Sequence, residues 1–404
     1  MLMENVRYSR VLEITSNYVK FAVGYVSKNV PHLLYYKKTP ITGLVSDGRI
    51  VDHDKLVKVL SEFHSINDSA LDLQMEPNAV SLVLPSLGVK IYEDVKASSI
   101  VGGEANSKIT HVDVNNVLNL LKTAKIGEGS VLVDVVPSVY VANKNGYAEP
   151  PLGVDSKTLS IKAKIYTLPA DILNSFVKVV EDAGFRVLKN SIAVYCASQL
   201  IASNPKNPET YILLDIGSDL TTMSLIGKKE TYLSRFIKSG GRALSERIAR
   251  KFNIPFQIAN DLKEKFGYDI TVHKFETPVF IGVNNDNQKI KIYQRDINEV
   301  IKIYYDEFLK ALQLSFDQLE FSQGQMYGSY PIIVTGGASR LRGLSALFTS
   351  VFGTREVRFF MPNVIGARDA GATNVLGMII VESKQKKTMG SNDNYQGISS
   401  LSRE

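Results

Sequence analysis

Two stretches of the chain share one plan: an apolar strand, an acidic residue, a small polar turn and a second apolar strand. The first reads VLEITSNYVKFAVGYV and the second LLDIGSDLTTMSLIGK. Their acids, Glu13 and Asp215, each stand at the end of the first strand. A separation of roughly 200 residues is the size of one lobe of a larger protein. The repeat therefore predicts two duplicated lobes that face each other.

Length and composition agree with such an arrangement. A chain of 404 residues is too long for one core, so two to four subdomains are expected. Its 44% apolar and 22% charged residues are those of an ordinary globular protein. No run of 18 apolar residues is present, which predicts no transmembrane helix. The N-terminus lacks an apolar signal core, so we expect no secretion.

The cysteine, histidine and charge content limits the kinds of functional site that the chain is expected to contain. The single cysteine, Cys196, excludes a disulfide framework and a cysteine-based metal cluster. It lies in the apolar run SIAVYCASQLI, which indicates a buried small hydrophobe and not a catalytic thiol. The five histidines show no ligand spacing. A net charge of +6 fits an acidic partner or an anionic membrane surface but decides little.

Hydrophobic periodicity gives the element order. It predicts strand pairs at 9–26 and 211–227, and further strands at 79–85, 88–95, 130–143 and 158–168. It predicts helices at 53–63, 114–125, 170–185, 240–253, 256–267, 296–321 and 370–382. Residues 330–353 are predicted to form a strand, a glycine turn and a helix. Hairpins that alternate with helices indicate an α/β fold.

The second acid-tipped hairpin has the composition of a phosphate-binding turn. Phosphate needs backbone N–H donors in a concave turn, and glycine with short hydroxyl residues permits the approach. IGSDLTT supplies Gly217, Ser218, Thr221 and Thr222. An aspartate beside phosphates usually holds Mg²⁺ or a water of its shell, which would explain Asp215. The alternative is an ordinary tight hairpin that Asp and Ser cap.

Two glycine pairs mark further candidate sites. Gly336-Gly337 lies between a strand and a helix, an arrangement that suits an anion or a nucleotide. Gly240-Gly241 precedes another helix. Many α/β loops and plain helix N-termini contain such pairs, so each has a purely structural alternative.

Asn260 and Lys263 form the last candidate pair. They are three residues apart and share one helix face, from which they could reach a ribose or an adenine edge. A solvated face that carries lysine and glutamate is the structural alternative.

The order of these features resembles that of the superfamily of actin, heat-shock chaperones and sugar kinases. Within it, residues 9–382 are most similar to the bacterial cell-division family FtsA. LLDIGSDLTT resembles its second phosphate loop, IIVTGGASRLRGL its adenosine loop and DAGATNVLGMII its closing helix. The resemblance implies an α/β, actin-like (ribonuclease H-like) two-lobe fold with an extra small α+β subdomain inserted in the first lobe.

The stretch from VVPSVYVANKNGYAEPPLG to VVEDAGFRV resembles the region in which that inserted subdomain rejoins the first lobe. FtsA and its pilus-assembly relative PilM therefore match better than chaperones or kinases. The implied division gives the first-lobe core 1–84, 166–205 and 354–383, the inserted subdomain 85–165, the second-lobe core 206–238 and 322–353, the second-lobe small subdomain 239–321, and a disordered tail 384–404.

The resemblance also implies ATP or ADP with Mg²⁺, the metal held by Glu13 and Asp215 through water. The implied nucleotide-binding residues are Glu13, Thr15, Ser16, Asn17, Lys20, Asp215, Gly217, Ser218, Asp219, Thr221, Gly240, Gly241, Asn260, Lys263, Gly336, Gly337, Ala338 and Arg340.

Departures from the family concern catalysis. The family's first loop reads Asp-Ile-Gly-Ser, whereas this chain has Glu13 and Thr15 at the first and third positions. Glu13 keeps the charge, but a β-branched Thr15 resists positive φ and close backbone approach. Asn260 replaces a glutamate. We therefore expect at most a weak ATPase, and no catalytic residue is assigned.

The family's biology implies the partners. Such proteins polymerise head to tail and bind the C-terminal tail of the tubulin-like FtsZ, here through 239–321. The expected location is cytoplasmic, at the division site on the inner face of the membrane. QGISSLSRE offers no clear amphipathic anchor helix. No nucleic-acid partner is expected.

Three alternatives remain open. The first is a PilM-like pilus-assembly adaptor. The second is a nucleotide-free pseudo-ATPase scaffold in which Thr15 blocks the loop. The third is a small-molecule kinase of the same superfamily, which would need an acidic base in the cleft.

Overall fold

The computed structural model describes residues 8–389 except 69–72, 102–106, 270, 272–276, 324–329 and 354. In this part of the chain, each lobe is built on a five-stranded sheet. The first sheet has the order β13-β8-β1-β2-β3, formed by Arg186–Ile192 (β13), Ala79–Leu84 (β8), Ser9–Ile14 (β1), Tyr18–Ser27 (β2) and Val30–Pro40 (β3). The second has the order β16-β15-β14-β19-β20, formed by Glu230–Ile237 (β16), Thr221–Gly227 (β15), Thr210–Ile216 (β14), Ile332–Thr335 (β19) and Val357–Phe359 (β20).

The two sheets have the same topology. In each, three consecutive antiparallel strands form a meander, β1-β2-β3 or β14-β15-β16. The first strand of the meander also pairs in parallel with a later strand, β8 or β19, and that strand pairs in parallel with β13 or β20. The prediction of duplicated lobes from the repeated acid-tipped hairpin is confirmed.

A smaller sheet lies within the 85–165 stretch. Its order is β11-β10-β12-β9, formed by Asn145–Tyr147 (β11), Ser130–Ala142 (β10), Thr158–Pro169 (β12) and Lys90–Ser99 (β9). Helix α2, His111–Lys122, packs against it over a separate apolar cluster that includes Ile109, Val117 and Ile161. Strand β12 then continues into the first lobe, where Tyr166 and Leu168 join the large core.

The remaining helices and short strands complete the lobes. Helices near the first sheet are His53–Ser61 (α1), Ala170–Asp182 (α3), Ala193–Ile201 (α4) and Thr373–Met389 (α9). Those of the second lobe are Gly241–Phe252 (α5), Phe256–Phe266 (α6), Gln294–Gln323 (α7) and Leu344–Phe352 (α8). Short strand pairs are Val45–Ser46 (β4) with Arg49–Ile50 (β5), Ile66–Asp68 (β6) with Leu73–Met75 (β7), and Pro278–Val283 (β17) with Lys289–Tyr293 (β18). Three-residue or four-residue 3-10 turns occupy Glu62–His64, Gly337–Arg340 and Ala370–Ala372.

Helices α4 and α9 pack unusually closely. A Cβ added at Gly377 would lie 1.9 Å from the Cys196 carbonyl oxygen, so only glycine fits there. Cys196 is fully buried, its Sγ lies 3.7 Å from Met378 Sδ, and burial raises the pKa of its thiol. The prediction of a buried cysteine is confirmed.

The structure corrects two of the predicted boundaries. Helix α9 runs through Met389, so residues 384–389 are helical and not part of a disordered tail; Lys384 Nζ donates to Gln199 Oε1 of α4 at 2.6 Å. Residues 390–404 lie outside the described part. Strand β20 falls in the 354–383 range that was assigned to the first lobe, but it pairs with β19 of the second. Three residues are too few to carry a periodic signal.

Three further strands of the two five-stranded sheets were also missed as elements: β3, β13 and β16. Their burial does not alternate cleanly, since β3 and β13 are mostly half-buried along their length. In the described residues, no helix is both long and apolar enough to span a membrane.

Candidate functional site

A cavity of about 400 Å³ lies between the two lobes, and most of the predicted site residues line it. They are Glu13, Thr15, Ser16, Asn17, Lys20, Asp215, Gly217, Ser218, Asp219, Gly241, Lys263, Gly336, Gly337, Ala338 and Arg340. Thr221, Gly240 and Asn260 do not line the cavity. Each of these three supports a residue or a hairpin that does.

The two acids that end the first strands lie together at the centre of this cavity. A single side-chain amide joins them: Asn374 Nδ2 donates to Glu13 Oε1 at 2.8 Å and to Asp215 Oδ2 at 3.2 Å. Lys20 Nζ lies 2.8 Å from Glu13 Oε2 and also donates to the Gly371 carbonyl at 2.6 Å. The structure therefore brings the hairpins face to face, as the sequence repeat predicts.

The surroundings of Asp215 destabilise its ionised carboxylate. Burial and then the nearby Glu13 charge raise its pKa, while the Asn374 hydrogen bond and Lys20 oppose the rise. The backbone of Gly336 covers it: φ is +91° there, and an added Cβ would lie 2.2 Å from Asp215 Oδ1. A glycine is therefore required at this point of the strand–turn–helix motif.

The donor set fits a magnesium ion held largely through water. Asn374 Oδ1, beside the two carboxylates, is buried and has no hydrogen-bond partner in the described structure. Burial first and the Glu13 charge second raise the pKa of Asp215, so its ionised form is destabilised, and a divalent cation beside it would stabilise that form. Among the described residues there is no cluster of three or more His, Cys, Asp or Glu poised to hold a metal. Water and ligand oxygens would thus complete the shell.

The tips of the two hairpins have equivalent backbones. Thr15 N–H donates to the Tyr18 carbonyl at 2.9 Å, and Gly217 N–H donates to the Leu220 carbonyl at 2.9 Å. Thr15 is not among the residues with positive φ, so its β-branched side chain strains no backbone there. Its hydroxyl turns back to the Tyr18 carbonyl at 3.0 Å. The backbone reason for expecting Thr15 to obstruct the loop therefore does not apply.

The second hairpin has an unused donor. Ser218 Oγ is buried and has no hydrogen-bond partner in the described residues. A buried hydroxyl in this state costs free energy unless a ligand or water completes it. An anion at the hairpin tip would do so.

The Gly240-Gly241 pair packs against this hairpin, and the Gly241 N–H is already engaged there. Gly241 N–H donates to the Gly217 carbonyl at 3.0 Å, and Arg242 N–H donates to the Ser218 carbonyl at 2.9 Å. A Cβ at Gly240 would lie 2.5 Å from both of those carbonyl oxygens. Gly240 packs against the hairpin and does not line the cavity, and its predicted contact with nucleotide stays a prediction. Thr221 likewise is buried, with Oγ1 donating to the Ser239 carbonyl at 2.8 Å.

Lys263 lines the cavity, and Asn260 positions it. Lys263 Nζ donates to Asn260 Oδ1 at 2.9 Å, to Ser245 Oγ at 2.8 Å and to the Gly241 carbonyl at 3.0 Å. None of these partners is charged, and burial lowers the pKa of Lys263 to about 8. Asn260, which was expected to contact nucleotide, instead holds the ammonium in place.

Sequence reasoning missed four side chains that lie at or beside the cavity: Asn374, Lys38, Asp369 and Arg242. Asn374 and Lys38 line the cavity. Asp369 lies between Lys38 and Arg340. Arg242 reaches Asn17 of the first hairpin and Asp219 of the second. Asp369 and Asn374 lie in the DAGATNVLGMII stretch, which resembles the family's closing helix as a whole, but nothing in its sequence singles out either side chain.

Comparison with known proteins gives a consistent answer. Residues 212–377 match the family model described as cell division protein FtsA. The chain is 25% identical to cell division protein FtsA of Enterococcus hirae over 338 residues, which cover 83% of this chain and 74% of that protein. It is 22% identical to that of Bacillus subtilis (strain 168) over 94% of this chain and 84% of that one.

Solved structures agree on the fold. The PilM-PilN type IV pilus biogenesis complex matches with a TM-score of 0.59 and 17% identity, covering 95% of this chain and 99% of that chain. MreB 5 of Spiroplasma citri bound to AMPPNP matches with a TM-score of 0.55 and 15% identity, covering 96% and 99%. The α/β, actin-like two-lobe prediction is confirmed. Together these matches show that the chain is similar to the cell-division protein FtsA.

Proposed function

We propose that this chain is a nucleotide-binding assembly protein of cell division in which ATP or ADP acts as a structural switch. One observation carries the proposal. The acids of the two lobes, Glu13 and Asp215, accept from the same Asn374 amide inside a cavity bounded by both hairpins. A ligand between the hairpins would contact both lobes, so its presence would bias their relative position.

Two observations support a nucleotide as the ligand of this cavity. Ser218 Oγ, Lys20 and Gly217 are the types of group that bind phosphate, and they line one cavity. Solved structures of similar fold include MreB 5 of Spiroplasma citri bound to AMPPNP and MreB5 bound to ADP. Magnesium, held by Glu13 and Asp215 through water, would neutralise phosphate charge when bound.

Hydrolysis is proposed to be slow or absent. Glu13 is held by Lys20 on one oxygen and by Asn374 on the other, so it is not poised to take a proton from water. Asp219 is bound by Arg242 and by the Asp47 N–H. Neither of these acids is free to serve as a kinase-type base.

Assembly is the proposed output. We propose head-to-tail self-association and capture of the C-terminal tail of an FtsZ-like protein by the 239–321 region, at the cytoplasmic face of the membrane at the division site. That region exposes Ile281 and Val283 on β17, beside Lys289 and Lys291 of β18. An apolar strip flanked by lysines suits a peptide with apolar and acidic residues. The division into two lobe cores and two small subdomains stays a proposal, with residues 357–359 moved to the second-lobe core.

A PilM-like pilus-assembly role is the second candidate. The PilM-PilN complex matches nearly the full length of the chain, which favours it as an alternative use of the same fold. Fluorescence anisotropy with a labelled FtsZ C-terminal peptide, run in parallel with PilN, separates the two. Binding of PilN but not of the FtsZ peptide would overturn the division role.

Calorimetry with Mg-ATP tests the nucleotide directly. We expect micromolar-range binding by the wild type and about tenfold weaker binding by Asp215→Ala, because a buried metal-linked carboxylate is lost. Glu246→Ala removes an exposed acid from helix α5 and is the matched control, which should bind as wild type. Equal affinities in all three proteins, or no binding by the wild type, would contradict the proposed site.

A further inference from the structure

Strand β3 contributes a lysine to the cavity that no motif marks. Lys38 pairs directly with Lys20 in the register of β2 and β3, so both side chains project from the same face of the sheet. Both line the cavity. Lys37, the preceding residue, faces the opposite side, where its Nζ lies 5.4 Å from the centre of the Phe63 ring.

The two cavity lysines differ in how fully they are engaged. Lys20 Nζ has a carboxylate at 2.8 Å and a carbonyl at 2.6 Å. Lys38 Nζ lies 3.5 Å from Asp369 Oδ2, at the limit of a hydrogen bond, and 3.9 Å from the centre of the Tyr18 ring. Lys38 is thus the more available of the two, although its side chain is only 21% exposed.

The Asp369 carboxylate lies beside two cations, Lys38 and Arg340. Its Oδ1 accepts the Gly371 N–H at 2.9 Å and lies 3.4 Å from Arg340 Nε, while Oδ2 faces Lys38. Two cations therefore share one carboxylate through long contacts. These two cations and one carboxylate leave this corner of the cavity with a net positive charge. Burial lowers the pKa of Lys38, so a further anion there would stabilise its charged form.

We propose that Lys38, with Arg340 beside it, binds an anionic group of the ligand. Resting on the proposed function, that group is the phosphate chain of the nucleotide. Lys38 adjoins Lys20 and stacks on Tyr18, the residue that ends the first phosphate hairpin. A fixed cation at this place would favour phosphorylated ligands over the nucleoside.

The test compares Lys38→Met with Lys37→Met, which removes the same charge from the other face of the same strand. Calorimetry is run with Mg-ATP, Mg-ADP and adenosine. Lys38→Met should bind both nucleotides about tenfold more weakly and bind adenosine unchanged. Its nucleotide affinity should also fall less steeply with added salt. Lys37→Met should match the wild type throughout.

Lys38→Arg and a thermal melt of every variant guard against a folding defect. The charge-retaining variant should keep nucleotide affinity within about threefold of wild type. The inference is overturned if Lys38→Met binds nucleotide as wild type does, or if it loses adenosine equally, which would mark a structural role. In either case wild-type nucleotide binding would leave the proposed function standing. Absence of nucleotide binding by the wild type would overturn both.

Discussion

At the scale of single residues, the cavity depends on positions where one atom more would not fit. Gly336 has φ of +91°, and its Cβ would collide with Asp215 Oδ1 and with the Ile216 carbonyl at 2.5 Å. Its neighbour Gly337 has open space around it and no positive φ. The two halves of the glycine pair are therefore not equivalent.

Alanine substitution at these two positions tests that difference. Gly336→Ala should lower the free energy of unfolding by about 2 kcal/mol or more, because both backbone strain and a clash with Asp215 arise. Gly337→Ala should change it by less than about 1 kcal/mol. Urea unfolding followed by circular dichroism measures both. Similar losses in the two variants would show that the Gly336 contact with Asp215 is misplaced.

At the scale of elements, helices α5 and α6 are joined through one ammonium. Lys263 of α6 donates to the Gly241 carbonyl and Ser245 Oγ of α5, and burial lowers its pKa to about 8. The folded state therefore binds this proton less tightly than the unfolded chain does. Stability must rise with pH while the unfolded lysine stays protonated and the folded one does not.

This linkage predicts a pH window. Between pH 8 and about 10, the wild type should gain up to about 1 kcal/mol of unfolding free energy per pH unit relative to Lys263→Met. Urea unfolding of both proteins at pH 7.5, 8.5 and 9.5 gives the difference between their unfolding free energies. The protonation of other groups affects both proteins equally and cancels in this difference. A constant difference across this range would mean that Lys263 keeps an ordinary pKa.

Elements also show where sequence reasoning succeeds. Acid-tipped hairpins and glycine turns carry local signals, so Glu13, Asp215 and Gly336 could be found from their neighbours in the chain. Lys38 and Asn374 could not, because their role arises from strand pairing and from a helix start 361 residues after Glu13. Strand β20 was misplaced for a related reason: its partner strand, not its composition, decides its lobe.

At the scale of the whole molecule, Arg242 ties the lobes together beside the cavity. Its Nε donates to Asp219 Oδ1 at 2.8 Å, and its Nη2 donates to Asn17 Oδ1 at 2.9 Å. Asp219 Oδ2 in turn accepts the Asp47 N–H of the first lobe at 3.1 Å. A nearly buried carboxylate thus stands between two donors, one from each lobe.

Removing this arginine should loosen the junction. Arg242→Met is expected to lower the unfolding free energy by about 2 kcal/mol, because Asp219 is left buried with one partner fewer. Arg247→Met, which breaks a more exposed pair with Glu307, should lower it by less than about 1 kcal/mol. Chemical unfolding compares the two. If Arg242→Met loses no more unfolding free energy than Arg247→Met does, the Arg242 contacts do not stabilise the junction between the lobes.

Helix α9 connects these local contacts to elements farther from the cavity. Asn374, in its first turn, grips both acids, while the helix packs along strands of the first sheet and against α4 and α2. Its 17 residues form a rod of about 25 Å. Gly377 packs that rod tightly against α4. A shift of Asn374 would therefore move a stiff helix that contacts α2, the helix that packs on the inserted small sheet.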